Sequence, residues 1–317
     1  MNEQHLHVVL GAGPAGTATA AELASRGHRV RHVSRGEIPQ VDDRIERLKA
    51  DVSTPEGAIA ATEGAAVIYH AVNVAYHLQV ATLPGVTEAI IGAASAHDAR
   101  LVVLDTLYPY GTADGEAITE QTPWAATSRK GAMRAQLDAR YLAAHRSGEA
   151  RTVLGRAADF FGPGVFNATF GGAFFPGAIT GGPALAIGDI TLPHSFTYIK
   201  DVARGLATLG ADDGGDGEVW HLPTNPAVPT ADLHRVIESI TGRPLAIELI
   251  TEPVPYGPFD EQFMSEFAEM FYQYQIPQNM VSAAFESTFG VRPTPMRQAL
   301  EETVAWFQTA LAGDAFH

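Results

Sequence analysis

Short apolar runs alternate with amphipathic, alanine-rich stretches through the first half of the chain. "HLHVVL" precedes 14–26, "RVRHV" precedes 55–63, "AAVIYHA" precedes 78–97, "RLVVLD" precedes 129–146, and "ARTVLGR" follows. Strand-length runs separated by helical spans predict βαβ units, and so an α/β fold with a parallel, doubly wound sheet covered on both faces. After Gly162 the pattern loosens. Residues 162–195 are rich in Gly, Pro and Phe with weak periodicity, and "PHSFTYIKDVARGLATL" then predicts a strand leading into a helix. Beyond it, "GEVWHL" and "LAIELI" predict strands, while 230–241, 258–275 and 295–311 predict helices. Pro295 suits the first turn of the last one.

Composition narrows the classes. The 317 residues are 46% hydrophobic, enough for a sizeable core. Thirty-six acidic against 21 basic side chains give a formal charge of -15, and no basic cluster opposes that field, so no nucleic-acid or anionic-membrane partner is expected. With no cysteine, disulfides and thiolate chemistry are excluded. No apolar run approaches the roughly 20 residues of a membrane span. "MNEQHLHVVLGAG" has no charged leader followed by an apolar core, so a cytoplasmic protein is expected. The 12 histidines form no HExxH or comparable ligand set, and no metal is expected.

The strongest local signal is "VVLGAGPAGTATAAELASRGHRV". Gly11, Gly13 and Gly16 follow a strand and open a helix with Pro14 and Ala15. A tight turn, close approach of backbone to a pyrophosphate, and helix-on-strand packing each need a residue without Cβ, while the helix N-terminus faces the phosphates. Dinucleotide binding is therefore expected. The second strand ends in Ser34 and Arg35, where an NAD site would carry Asp or Glu for the ribose hydroxyls. A hydroxyl and a guanidinium suit a 2′-phosphate, which favours NADP(H) over NAD(H).

With these residues the chain resembles the extended short-chain dehydrogenase/reductases, the NAD-dependent epimerase/dehydratase family. Asp51 and Val52 in "LKADVSTPEGA" look like the family's Asp-Val step under the adenine. "VIYHAVN", with Ala71, Val72 and Asn73, is similar to the third strand and its turn beside the cofactor. "GRAADFFGPGV", containing Ala157, "FTYIKDVARGLATL" and "FGVRPTPMRQALEETVAWF" resemble later family segments. The resemblance implies a Rossmann sheet with a small C-terminal α/β substrate lobe. Residues 1–163 plus about 194–226 would bind the dinucleotide, and about 164–193 plus 227–317 would form the lobe.

The same resemblance implies Thr106 as the hydroxyl that bonds the reacting oxygen, and Lys130 as the cation of a Tyr-x-x-x-Lys pair that also holds the nicotinamide ribose. The tyrosine of that pair is Ala126 here. Tyr108, two residues after Thr106 in "LDTLYPYG", emerges at the carboxyl edge of the sheet, where open α/β folds build their sites. It is the candidate for the displaced phenol. The other readings of Tyr108 are that it only shapes the site, or that water or substrate groups move the proton. Tyr76, His77, Asp159 and Phe160 are candidate substrate or nicotinamide neighbours. His194-Ser195 stands where sugar-nucleotide members carry Arg-Asp, so His194 is a candidate substrate residue and the phosphate-binding guanidinium is gone.

The expected activity is hydride transfer to or from a carbonyl or alcohol carbon of a small, non-nucleotide molecule. Two alternatives remain open: an epimerase or dehydratase that recycles its bound cofactor, and a non-redox NADP(H)-binding protein, kept alive by Ala126. Alanine-rich faces on 78–97 and 129–146 permit a homodimer.

Overall fold

The computed structural model describes residues 5–313. Its strands are β1 (Leu6–Leu10), β2 (Arg29–Ser34), β3 (Glu46–Lys49), β4 (Ala65–His70), β5 (Arg100–Thr106), β6 (Ala117–Ile118), β7 (Thr152–Ala157), β8 (Asp159–Phe161), β9 (Pro183–Ile187), β10 (Pro193–His194), β11 (Phe196–Tyr198), β12 (Val219–His221), β13 (Val228–Pro229), β14 (Ala246–Ile250) and β15 (Asn279–Met280). The helices are α1 (Pro14–Ser25), α2 (Pro55–Ala61), α3 (Gln79–Ala96), α4 (Arg129–Arg146), α5 (Phe175–Thr180), α6 (Ile199–Ala211), α7 (Thr230–Thr241), α8 (Glu261–Phe267), α9 (Ala283–Phe289) and α10 (Met296–Ala312).

Seven strands form one parallel sheet in the order β12-β7-β5-β4-β1-β2-β3. Successive side chains of a strand point to opposite faces, and here each face has its own core. Val9, Tyr69, Val102 and Val153 pack with α1 and α6, whereas Val8, Leu10, Ile68, Leu101, Val103 and Leu154 pack with α2, α3 and α4. This is the Rossmann α/β fold expected.

Several elements differ from the sequence reading. The polar edge strand β3, "ERLK", has no apolar alternation and was not expected. Residues 162–195 contain α5 and β9 where no regular element was predicted, while β10 falls at the start of the strand predicted from Pro193. The helix expected over 258–275 is α8 followed by a 3₁₀ segment, Ala268–Tyr274, and α9 went unpredicted. Phe170, Phe174 and Phe175 are all core residues, with Phe174 edge-on to both of the others at 4.9 and 5.4 Å.

A buried cation organises the sheet's carboxyl edge. Arg156 on β7 has no exposed surface and donates to Asp105 Oδ2 at 2.5 Å and Asp138 Oδ2 at 2.6 Å, with its guanidinium 4.4 Å from the Tyr110 ring centre. Burial and the Asp105 charge push the Asp138 carboxyl well up. Tyr110, completely buried, completes the cluster with a 2.7 Å hydrogen bond to His221 Nε2.

Burial pushes the pKa of His7 down to about 4, of His70 to about 3, and of His221 and His234 to about 4. In the unfolded chain these rings titrate near 6.5. Between roughly pH 6.5 and 4 the unfolded state therefore binds more protons, and stability falls as pH falls. The midpoint of thermal unfolding is expected to drop steadily from pH 7 to pH 5, above the range where most carboxylates titrate. A midpoint flat over that interval would mean these rings are not held neutral.

Candidate active site

The turn after β1 is built around missing Cβ atoms. Gly11 has φ 103°, and a Cβ there would meet the Ala71 carbonyl oxygen at 2.6 Å. A Cβ on Gly16 would lie 1.9 Å from the Gly11 carbonyl oxygen, so only glycine lets α1 pack onto the strand tip. Gly13 is different. It is exposed, a Cβ there would meet nothing within 4 Å, and it precedes Pro14 at the N-terminus of α1, whose first N–H groups receive no side-chain cap. Backbone bonds from Gly11 to Val33 and from Ala71 to Leu10, both 2.9 Å, fix the loop, and His32 Nε2 lies 2.9 Å from the Gly11 carbonyl. An open glycine before an uncapped helix N-terminus fits a dinucleotide pyrophosphate. Ala15, beside Gly16, is buried in the core.

The other cofactor candidates ring this turn. Ser34 ends β2 and accepts a hydrogen bond from the Gly36 amide at 3.2 Å; Arg35, next to it, is exposed. Asp51 accepts from the Ser53 hydroxyl at 2.7 Å and amide at 3.0 Å, which, helped by the Arg35 charge, lowers its pKa. Val52 is buried beside it. Burial and the Arg134 charge keep His70 neutral, so its Nδ1 accepts from the Val72 amide at 3.2 Å and shapes the Ala71–Val72 turn. Asn73 Oδ1 accepts from Arg134 at 3.3 Å, and Ala157 ends β7, buried.

At the carboxyl edge the chain gathers phenols. Thr106 Oγ1 accepts from the Tyr108 amide at 3.4 Å, which sets the turn carrying Tyr108. The Tyr108 and Tyr76 hydroxyls are 2.6 Å apart. Burial pushes Tyr108 up to about 12, partly offset by the bond from Tyr76, whereas burial and Tyr108 both push Tyr76 well above its ordinary value. Tyr108 is thus the more acidic phenol of the pair, and either hydroxyl can donate while both are protonated. Opposite them, Asp159 Oδ2 accepts from Tyr274 at 2.7 Å and faces His194 Nε2 at 3.1 Å, with the His194 and Tyr274 rings stacked at 5.2 Å. Burial raises the Asp159 pKa, but these bonds outweigh it and hold the carboxyl ionised below the usual range. Thr169 donates to the Tyr274 oxygen at 3.2 Å. Phe160 packs against the core, and His77 is exposed.

Lys130, to which the Tyr-x-x-x-Lys resemblance gives the ribose, is bonded to protein partners. Its side chain has no exposed surface, and its Nζ donates to Glu266 Oε2 at 2.5 Å, Glu269 Oε1 at 2.7 Å and the Glu266 carbonyl at 3.1 Å. An ammonium has three protons, and all three are committed. Glu269 Oε2 also accepts from the Arg129 and Lys130 amides at the start of α4, and the Ser128 hydroxyl reaches Met270 Sδ at 3.3 Å. The hydrogen bond from Lys130 lowers the Glu266 pKa; burial raises that of Glu269, but Lys130 reverses the direction.

Sequence reading missed Glu266, Glu269, Tyr274 and Thr169. The available signal was a pair of acids three apart, on one face of a turn, inside the phenylalanine-rich stretch 260–275.

A seven-stranded parallel sheet with an open glycine turn at the first βα junction defines a nucleotide-binding enzyme of the extended short-chain dehydrogenase type. The family model for the NAD dependent epimerase/dehydratase family matches residues 7–222, and the chain belongs to that family. No curated protein matches it by sequence. Among solved structures it is similar to UDP-glucose 4-epimerase from Thermotoga maritima with UDP-glucose, at 16% identity and TM-score 0.81, covering 96% of this chain and 99% of that one. A dTDP-glucose 4,6-dehydratase from Streptomyces venezuelae with NAD shares 18% identity at TM-score 0.80, covering 98% of both chains. UDP-glucuronic acid 4-epimerase from Bacillus cereus with NAD shares 17% at TM-score 0.77, covering 98% of this chain and 99% of that one.

Gly13→Ala and Gly16→Ala separate cofactor fit from folding. Gly13→Ala is expected to leave the unfolding midpoint within about 2 °C but weaken NAD(P)H binding at least about tenfold, measured by fluorescence titration. Gly16→Ala is expected to lower the midpoint itself. Equal, undiminished binding by Gly13→Ala would mean the open space is not the pyrophosphate cradle.

Proposed function

We propose that the protein is an NADP(H)-preferring oxidoreductase that transfers a hydride to or from a carbonyl or alcohol carbon of a small, non-nucleotide substrate. The observation that carries this reading is the phenol pair Tyr76–Tyr108, with hydroxyls 2.6 Å apart in the turns that follow β4 and β5. Bound nicotinamide supplies the hydride chemistry. Tyr108 handles the proton: raised to about 12, it stays protonated at neutral pH and donates to a carbonyl oxygen during reduction, after which Tyr76 donates to the resulting phenolate. Thr106 holds the turn that aims it.

Arg35 supports the NADP(H) preference, being an exposed guanidinium at the tip of β2 beside Ser34. His194 supports a non-nucleotide substrate, because a buried imidazole engaged with Asp159 and Tyr274 replaces a phosphate-binding arginine. The epimerase or dehydratase reading, with recycled cofactor, is favoured by the family alone. A cofactor that copurifies and is regenerated would select it.

Two variants test the proposal. A charge-assisted bond to a phosphate contributes roughly 1.5–3 kcal/mol, so Arg35→Ala is expected to weaken NADPH by about 10- to 100-fold while NADH changes less than about twofold. Equal loss for both would remove the preference. With a panel of small aldehydes and ketones, wild type is expected to oxidise NADPH, and Tyr108→Phe to cut turnover by about 10²-fold or more with unchanged NADPH binding. Full turnover by Tyr108→Phe would show that another group moves the proton.

A further inference from the structure

The lysine expected beside the cofactor is tied instead to one surface segment, α8 with its 3₁₀ continuation. We infer that Lys130 is a positioning residue that fastens this strap, residues 261–274, to the start of α4 and so brings Tyr274 to Asp159, in place of holding the nicotinamide ribose. The inference rests on the proposed cofactor site only for where the ribose would lie.

Three independent features carry it. First, every proton of the ammonium is already bonded to the strap, two of them to carboxylates. Exchanging two carboxylates for neutral ribose hydroxyls would strip a buried cation of its counter-charges, a cost the hydroxyls do not return. Second, the charges balance without any ligand. Arg129, largely exposed, lies 3.1 Å from Glu266 and 3.4 Å from Glu269, so two cations face two carboxylates. Third, the docking extends beyond charge. Glu269 caps the first amides of α4, Ser128 meets Met270, and the Tyr76 ring packs at steep angles to Phe263 and Phe267, 5.7 and 6.2 Å away, while facing the Lys130 ammonium at 5.3 Å. The far end of the same strap delivers Tyr274, whose hydroxyl lies 2.7 Å from Asp159. Ala126 fits this arrangement, since the pair's phenol is absent and its lysine has acquired another task.

The experiment compares wild type, Lys130→Met, the double variant Glu266→Gln/Glu269→Gln, and the triple variant combining all three. Hydrogen exchange of the strap amides is read by mass spectrometry, and NADPH binding by fluorescence. Lys130→Met leaves two facing carboxylates and is expected to speed strap exchange by about 100-fold or more. The triple variant, a neutral replacement of the cluster, is expected to recover to within about tenfold of wild type, a rescue that loss of packing alone would not give. NADPH affinity is expected to stay within about threefold throughout. If Lys130→Met does not fold, the double and triple variants carry the comparison. The inference is overturned if Lys130→Met weakens NADPH tenfold or more with strap exchange unchanged, or if the double variant tightens NADPH. Should wild type bind neither NADPH nor NADH, the cofactor reading fails while the exchange rates still decide the role of Lys130.

Discussion

An ammonium with no exposed surface must deliver all three protons to acceptors inside the fold, and Lys130 delivers them to one segment. That requirement fixes the site. Burial of Lys130 needs Glu266 and Glu269; those carboxylates set the register of α8 and its 3₁₀ turn on the start of α4; and the turn's end sets Tyr274 against Asp159. A buried charge left without its counter-charges costs several kcal/mol, so the strap and the helix start are coupled through one side chain. A second buried cation, Arg156, is likewise paired with two carboxylates, those of Asp105 and Asp138, and lies against the Tyr110 and Trp124 rings.

The two ends of the candidate site are built from different materials. The cofactor end is mostly backbone: a left-handed glycine, an open glycine and uncapped helix amides, whose geometry the sheet imposes. The candidate substrate end is side chains from the turns after β4 and β5, from β8 and β10, and from the strap. Its phenols titrate high because they are withdrawn from water, and Asp159 titrates low because Tyr274 and His194 donate to it. Under the proposed function this division separates holding the nucleotide from handling the proton.

The sheet was legible because its strands are continuous apolar runs and its helices have amphipathic spans of ordinary length. The glycine turn was legible because three glycines at fixed spacing have few other uses in that context. The edge strand β3 was not, since an exposed polar strand leaves no period-two signal. The phenol pair was half legible: Tyr108 and Tyr76 were both candidates, but only the fold brings residues 32 apart to 2.6 Å. Lys130 shows the limit most clearly. The family resemblance implied a cofactor ligand there, but the carboxylates it bonds lie 136 and 139 positions further on, a pairing no local pattern encodes.

The most direct measurement is a crystal structure of the protein with NADPH. The account predicts the pyrophosphate over Gly13, the 2′-phosphate at Arg35, the Tyr108 oxygen facing the nicotinamide, and the Lys130 ammonium still bonded to Glu266 and Glu269. A complex in which Lys130 has left both glutamates for the ribose hydroxyls, with the strap displaced from Asp159, would contradict it.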